Sequence, residues 1–298
     1  MNLYEIAGKV IALCWDSQFI HGNMASFCCD PTKKIDLTFE LQENIVAAAP
    51  KKEPLIYSTY LSVYAMEDGY FITYPNSGNV NSCYYNQNLS HAIIYLSDQL
   101  SASSYSEEIT LESDSKLSTI DFIFYAIRDI FFTWIQQKGI LAVHSSSLIY
   151  NNKAYLFSAS SGTGKTTHTN MWVAQYGVEI LDGDVTAICI EDGEPIAYGL
   201  PWCGTSKRYL NKRILLGGII FLSRSSHNSV SKLTPFEAIL RLTARCFTPT
   251  WTKELTNLNL SIAESLVVKT RCCLLNCLPN QEAVNTMKDY IENSRSSL

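Results

Sequence analysis

The sequence predicts an α/β protein with a β-rich N-terminal region, and three features carry that prediction. Strand-like and helix-like patterns alternate from residue 140 onward. Short alternating or β-branched runs dominate the first hundred residues. A glycine-rich turn joins an apolar strand to a helix in "AYLFSASSGTGKTTHTNMW", residues 154–172. The 298 residues suit two domains, read as 1–115 (β-rich) and 116–298 (α/β).

In chain order, "IDLTFEL" (35–41) alternates apolar and polar residues as a half-buried strand does. "STYLSVYAMEDGYFITYPN" (58–76) gives two strand runs about Asp68-Gly69, a hairpin signal. "HAIIYLS" (91–97) reads as another strand, and the Ser- and Glu-rich stretch 97–118 as a surface connection. "STIDFIFYAIRDIFFTWIQQKG" (118–139) predicts a long, mostly buried helix. Ser118 or Thr119 is its cap, Asp121 lies in its first turn and Gly139 ends it. "ILAVHSSSLIY" and "KAYLFSA" read as strands about an Asn151-Asn152 turn. After the glycine loop come a helix to about Gly177, a strand over 178–190, a turn at "EDGE" (191–194) and a buried strand at 219–225. "LTPFEAILRLTARCF" (233–247) starts a helix with Pro235 and Glu237 in its first turn.

Composition bounds the function. The chain is 47% hydrophobic and 17% charged, with a net charge of −5. That balance gives no pull toward nucleic acid or an anionic membrane. The longest apolar run, "ILLGGIIFL" (214–222), is too short for a membrane span. The first residues lack the basic start and cleavage site of a secretory signal, so a cytoplasmic location is expected. Ten cysteines show no C-x-x-C pair, and their apolar neighbours fit reduced core thiols rather than a zinc site.

The loop Ala159-Ser160-Ser161-Gly162-Thr163-Gly164-Lys165-Thr166 matches the phosphate-binding pattern G-x-x-x-x-G-K-[ST], with Ala159 in place of the first glycine. Alanine fits there if its φ is negative. Backbone N–H groups at a helix start suit phosphate oxygens, a lysine suits the outer phosphates, and a hydroxyl suits magnesium. A triphosphate site also needs a carboxylate. The strand "VEILDGDV" offers Asp182 and Asp184, which on an extended strand point the same way. His144 ends the strand "ILAV", and His168, in the first turn after the loop, reads as a helix-surface or interface residue. In the bent segment 197–213, Trp202 reads as exposed or half-buried, and Lys207 and Arg208 as either phosphate partners or solvated cations. Arg241 and Arg245, one helical turn apart, are further candidates for the role of phosphate partner, with surface or interface cations as the other reading.

Together, the histidine, the hairpin, "SASSGTGKTT" and the acidic strand resemble the HPr kinase/phosphorylase catalytic domain. These are P-loop serine kinases of the phosphoenolpyruvate-carboxykinase-like fold, with relatives in peptide gene clusters. The resemblance spans about residues 140–250. It implies magnesium and ATP as cofactors. Ser161, Gly162, Thr163, Gly164, Lys165, Thr166 and Thr167 would form the phosphate cradle, with Thr166 and Asp184 on the metal. Asp182, Asp184 and His144 would be the catalytic group. Asp184 matches the second residue of the family's acidic pair, and the first falls on Gly183, a departure that Asp182 would have to cover.

The activity implied is phosphoryl transfer to a hydroxyl, foremost serine, of a protein, peptide or small molecule. A reverse phosphorolysis and a homo-oligomer stay open. So do two alternatives, a nucleotide-binding regulator that has lost chemistry (Ala159, Gly183) and an ATPase.

Overall fold

The structure, a computed structural model, describes residues 1–105, 109–110 and 116–293. Part of the Ser- and Glu-rich connection, with residue 115 at the expected boundary, lies outside them. The chain is mixed α/β with two large sheets, and it divides into two compact units, Met1–Trp134 and Ile135–Leu298.

The first unit holds β1 (Asn2–Ile6), β2 (Lys9–Leu13), β3 (Leu37–Gln42), β4 (Ile56–Tyr57), β5 (Ser62–Ala65), β6 (Gly69–Thr73), β7 (Val80–Asn86) and β8 (His91–Leu96). They form one sheet in the order β1-β2-β3-β8-β7-β6-β5-β4, parallel only at β2–β3 and β3–β8. Asp68 pins the hairpin between β5 and β6 by accepting hydrogen bonds from Tyr84 Oη and Asn86 Nδ2. A short ladder joins β9 (Ile109–Thr110) to β10 (Lys116–Leu117). Helix α1 (Thr119–Gln136) follows. Its Asp121 N–H donates to Ser118 Oγ, 3.2 Å away, so Ser118 is the residue that caps it.

The second unit contains β11 (Leu141–Tyr150), β12 (Lys153–Ser158), α2 (Lys165–Tyr176), β13 (Glu179–Asp182), β14 (Val185–Glu191), β15 (Glu194–Gly199), β16 (Arg213–Arg224), β17 (Ser229–Lys232), α3 (Pro235–Thr243), α4 (Lys253–Lys269), β18 (Cys272–Cys277) and α5 (Gln281–Asn293). Two-residue turns join β11 to β12 and β14 to β15. Asn151, Asn152, Asp192 and Gly193 in those turns all have positive φ, as the twist of a tight hairpin requires. The strand expected over 178–190 is broken at Gly183-Asp184, giving β13 and β14. The helix expected over 233–247 is regular only to Thr243, closed at its start by a Thr234/Glu237 capping box.

The long strands β11 and β16 each serve two parts of the sheet. Leu141–His144 pair with β14, and Ser145–Tyr150 with β12. Likewise β16 pairs first with β15 and then, in parallel, with β12 and β18. Side-chain alternation along β12 explains the layers. Ala154 and Leu156 enter a core shared with Leu242 of α3 and Leu266 of α4. Tyr155 and Phe157 enter the opposite core, with Trp172 of α2 and Met287 of α5. A strand buried on both faces is apolar throughout, which is why "AYLF" shows no polar alternation.

Because β12, β16 and β18 are parallel, their carboxyl ends lie at one edge of the sheet. The glycine loop leaves from that edge, where ligands of open α/β sheets are bound. Among the described residues, no helix is long and apolar enough to cross a membrane.

Candidate functional site

The loop from Ala159 to Gly164 turns β12 into α2. Gly162 and Gly164 take φ of 73° and 118°, conformations that cost an L side chain strain. Nothing lies within 4 Å of where a Cβ would stand on either, so the space above them is open. Ala159 has no positive φ and is buried, which removes the objection to alanine there. No side chain caps the start of α2, whose N-cap is Gly164. The first amides of the helix therefore have no side-chain cap among the described residues, and a helix start of this kind suits an anion.

Lys165 begins α2 and is 9% exposed. Its Nζ donates to the Ala159 carbonyl at 3.2 Å, folding the side chain back over the loop. Burial holds its pKa below the ordinary lysine value; Asp184 opposes that shift and Arg245 adds to it. Ser161, Thr166 and Thr167 are exposed, and Thr163 is half-buried.

The two aspartates do not share a direction. Asp182 is fully buried. Its Oδ1 accepts the N–H groups of Asp184 and Val185 at 2.9 and 3.0 Å, and its Oδ2 accepts that of Leu200 at 2.9 Å. It holds the β13–β14 break and the start of the next loop together. Burial pushes its carboxyl well above the ordinary value, against the pull of the three amides. The break turns Asp184 the other way, half-exposed, with its Oδ1 3.4 Å from His144 Nε2. His144 is fixed through its backbone: its N–H donates to the Arg245 carbonyl and its own carbonyl accepts from Ser158 Oγ. Its ring lies 5.2 Å from that of Phe247.

Gly183 has a steric reason. A Cβ there would stand 1.9 Å from Ser206 Oγ and 2.4 Å from Ser206 Cβ, because the turn Gly204–Ser206 packs against it. An aspartate at this position would require Ser206 and its turn to shift. Gly183→Ala is expected to lower stability by about 1–3 kcal/mol through overpacking. Urea unfolding checks it, and an unchanged midpoint would mean the Gly204–Ser206 turn yields freely.

His168 is buried rather than superficial. Its Nε2 accepts from Trp172 Nε1 at 3.1 Å, and burial lowers its pKa to about 4, so it packs as a neutral ring. Trp202 is also buried, at 2% exposure. Arg208 donates to Asn170 Oδ1 on α2 at 2.9 Å, and Lys207 is exposed.

Two cations bind the loop directly. Arg245, just past α3, donates to Ser160 Oγ at 2.8 Å. Arg224 donates to the Gly162 carbonyl. The sequence carried a signal for Arg224, a charge at the carboxyl end of an apolar strand. That strand had to be known as the parallel neighbour of β12 for the signal to count. Among the described residues, no group of three or more His, Cys, Asp or Glu is placed to hold a metal ion.

No family model matches the chain. None of the curated proteins matches it either. Among solved structures, the HPr(Ser) kinase/phosphatase from Coxiella burnetii matches 52% of this chain and 98% of its own, at 7% identity and a TM-score of 0.32. The functional reading rests on the site itself.

Proposed function

We propose that the chain is a magnesium- and ATP-dependent phosphotransferase acting on a hydroxyl, foremost a serine hydroxyl. One observation carries the proposal: an open, uncapped helix start behind two left-handed glycines, with Lys165 at its first position and the Asp184–His144 pair beside it. The residues fit the nucleotide and its metal, since the cradle is open above both glycines and an exposed hydroxyl (Thr166) and a half-exposed carboxylate (Asp184) are available.

When bound, the nucleotide supplies the phosphoryl group and the metal offsets its charge. The chain's own residues do the rest. Backbone amides from Ser161 to Thr167 bind phosphate oxygens, and Lys165 orients the outer phosphates. Thr166 and Asp184 are the residues that would hold the metal. Arg224 and Arg245 offset charge that builds during transfer. Asp184 takes the proton of the acceptor hydroxyl, and His144 Nε2 steadies that carboxylate. The acceptor oxygen gains the phosphorus bond that the nucleotide's bridging oxygen loses. Both oxygens of Asp182 are engaged by backbone amides, so we assign it to positioning Asp184.

The test is transfer of labelled γ-phosphate from ATP with magnesium and host-cell lysate. Label is expected in a discrete acceptor. Asp184→Asn is expected to cut that labelling by about 10²–10⁴-fold, the usual worth of a positioned base, with metal-free nucleotide binding kept. If ATP binds and nothing is labelled, Gly183 favours the regulatory alternative. Phosphate release without any acceptor would mark an ATPase.

A further inference from the structure

The chain carries a net charge of −5, yet the charged side chains lining one cleft in the second unit are all basic. It measures about 560 Å³ and lies between the glycine loop, the end of β16 and α3. Arg224, Arg241 and Arg245 line it, and among the described residues no carboxylate does. Arg224 and Arg245 are held against the loop, by the Gly162 carbonyl and Ser160 Oγ. Arg241 is exposed on α3. Glu237, one turn back on the helix, gives its Oε2 to the Thr234 N–H and hydroxyl in the capping box and acts on Arg241 only through its charge. A guanidinium in a cleft of like charges lowers its energy by meeting an anion.

Helix α3, which supplies one wall of the cleft, also exposes apolar side chains. Ala238 and Leu242 of α3 face the core, while Leu240 is 49% and Phe236 70% exposed on the outer side. Leu240 lines the cleft beside Arg241. Phe247 is 42% exposed, and its ring is the neighbour of His144. Single exposed apolar residues need no explanation. Here, however, Leu240 shares the cleft with three arginines, and the carbonyl of Arg245 in that cleft accepts the backbone N–H of His144, the partner of the proposed base.

We infer that this surface docks the phosphate acceptor as a peptide segment with an acidic residue and an apolar residue near its hydroxyl. The acid meets Arg241, and the apolar residue packs on Leu240 and Phe236. This inference rests on the phosphotransferase reading and names the acceptor class for it. Charge complementarity commits the surface to an acidic segment; a basic one would set its charge against Arg241, which shares the cleft with Arg224 and Arg245.

The test uses the full chain and three fluorescein-labelled peptide pools, each with a central serine. The first carries Asp/Glu and Leu/Phe flanks, the second Lys/Arg and Leu/Phe, the third Asp/Glu and Gly/Asn. Anisotropy in the presence of a non-hydrolysable ATP analogue is expected to show the first pool bound at least tenfold tighter than the second and several-fold tighter than the third. Arg241→Glu should reverse the first preference, and Leu240→Asn should erase the second, with nucleotide affinity unchanged. Equal binding, no binding, or a preference that survives Arg241→Glu overturns the proposal. So does a dimer in light scattering that Phe236→Asp dissociates, because a second copy would then cover the face. Selective binding without label transfer would keep the docking and sink the kinase reading. Transfer without charge preference would do the reverse.

Discussion

Lys165→Met is expected to cut phosphoryl transfer by about 10²–10³-fold, the cost of removing one preorganised donor. The nucleotide-free protein should stay as stable as before or become more stable. Methionine keeps the apolar stem of a side chain that is 9% exposed, and removes only the charged head. That head is held at a cost. Burial lowers its pKa in the folded state, so the folded state binds the proton less tightly than the unfolded chain does. Between the lowered folded value and the unfolded value of 10.5, stability therefore rises with pH. Below both values the charge destabilises the fold. Melting curves of the nucleotide-free protein from pH 7 to 10 should show that rise in the parent and its absence in Lys165→Met. A melting temperature that falls together with activity would mean that Lys165 is structural, and the cradle reading would lose its centre.

The strand–loop–helix around Lys165 was legible because its signals are local. An apolar run, two glycines and a lysine at fixed spacing need no partner strand to be recognised. Turns with Asn151-Asn152 and Asp192-Gly193 are local too, since those residue types tolerate positive φ. By contrast, the β1–β2 hairpin turns on Ala7-Gly8, where alanine with φ of 50° gives no compositional warning. Strand β18 is a six-residue apolar run rich in cysteine, and periodicity alone cannot separate such a strand from a piece of helix.

The site shows the same divide. Asp182 and Asp184 are two apart, and an unbroken strand would aim them together. The break at Gly183-Asp184 is where the turn Gly204–Ser206, more than twenty residues away, packs on Gly183. Arg224 and Arg245 reach the loop only because β16 runs parallel to β12 and α3 ends nearby. Such placements are tertiary, and one sequence does not contain them in readable form.

The orientation of Asp182 leads to the other large effect. Asp182→Ala is expected to destabilise the protein by about 3–5 kcal/mol, since it removes the buried acceptor of three amide N–H groups. Asn is a poor rescue. Its NH₂ would have to face the Leu200 N–H or those of Asp184 and Val185, donor against donor. The pH dependence has a definite sign. Burial raises the folded-state pKa of Asp182 above the ordinary 3.8, so the folded state holds the proton more tightly than the unfolded chain. Its contribution is thus largest at low pH and declines as pH climbs from 3.8 toward the folded value. Urea unfolding across that range should show the decline in the parent and not in Asp182→Ala.

Transfer should fall in the same variant, because the Asp184 N–H is one of the three amides released and the carboxylate it positions is free to drift from His144. The two roles open to Asp182 separate here. A positioning residue loses stability and activity together, and activity returns in part at lower temperature or with added osmolyte. A base would lose activity at an unchanged unfolding midpoint, and that result would move the proton acceptor from Asp184 to Asp182.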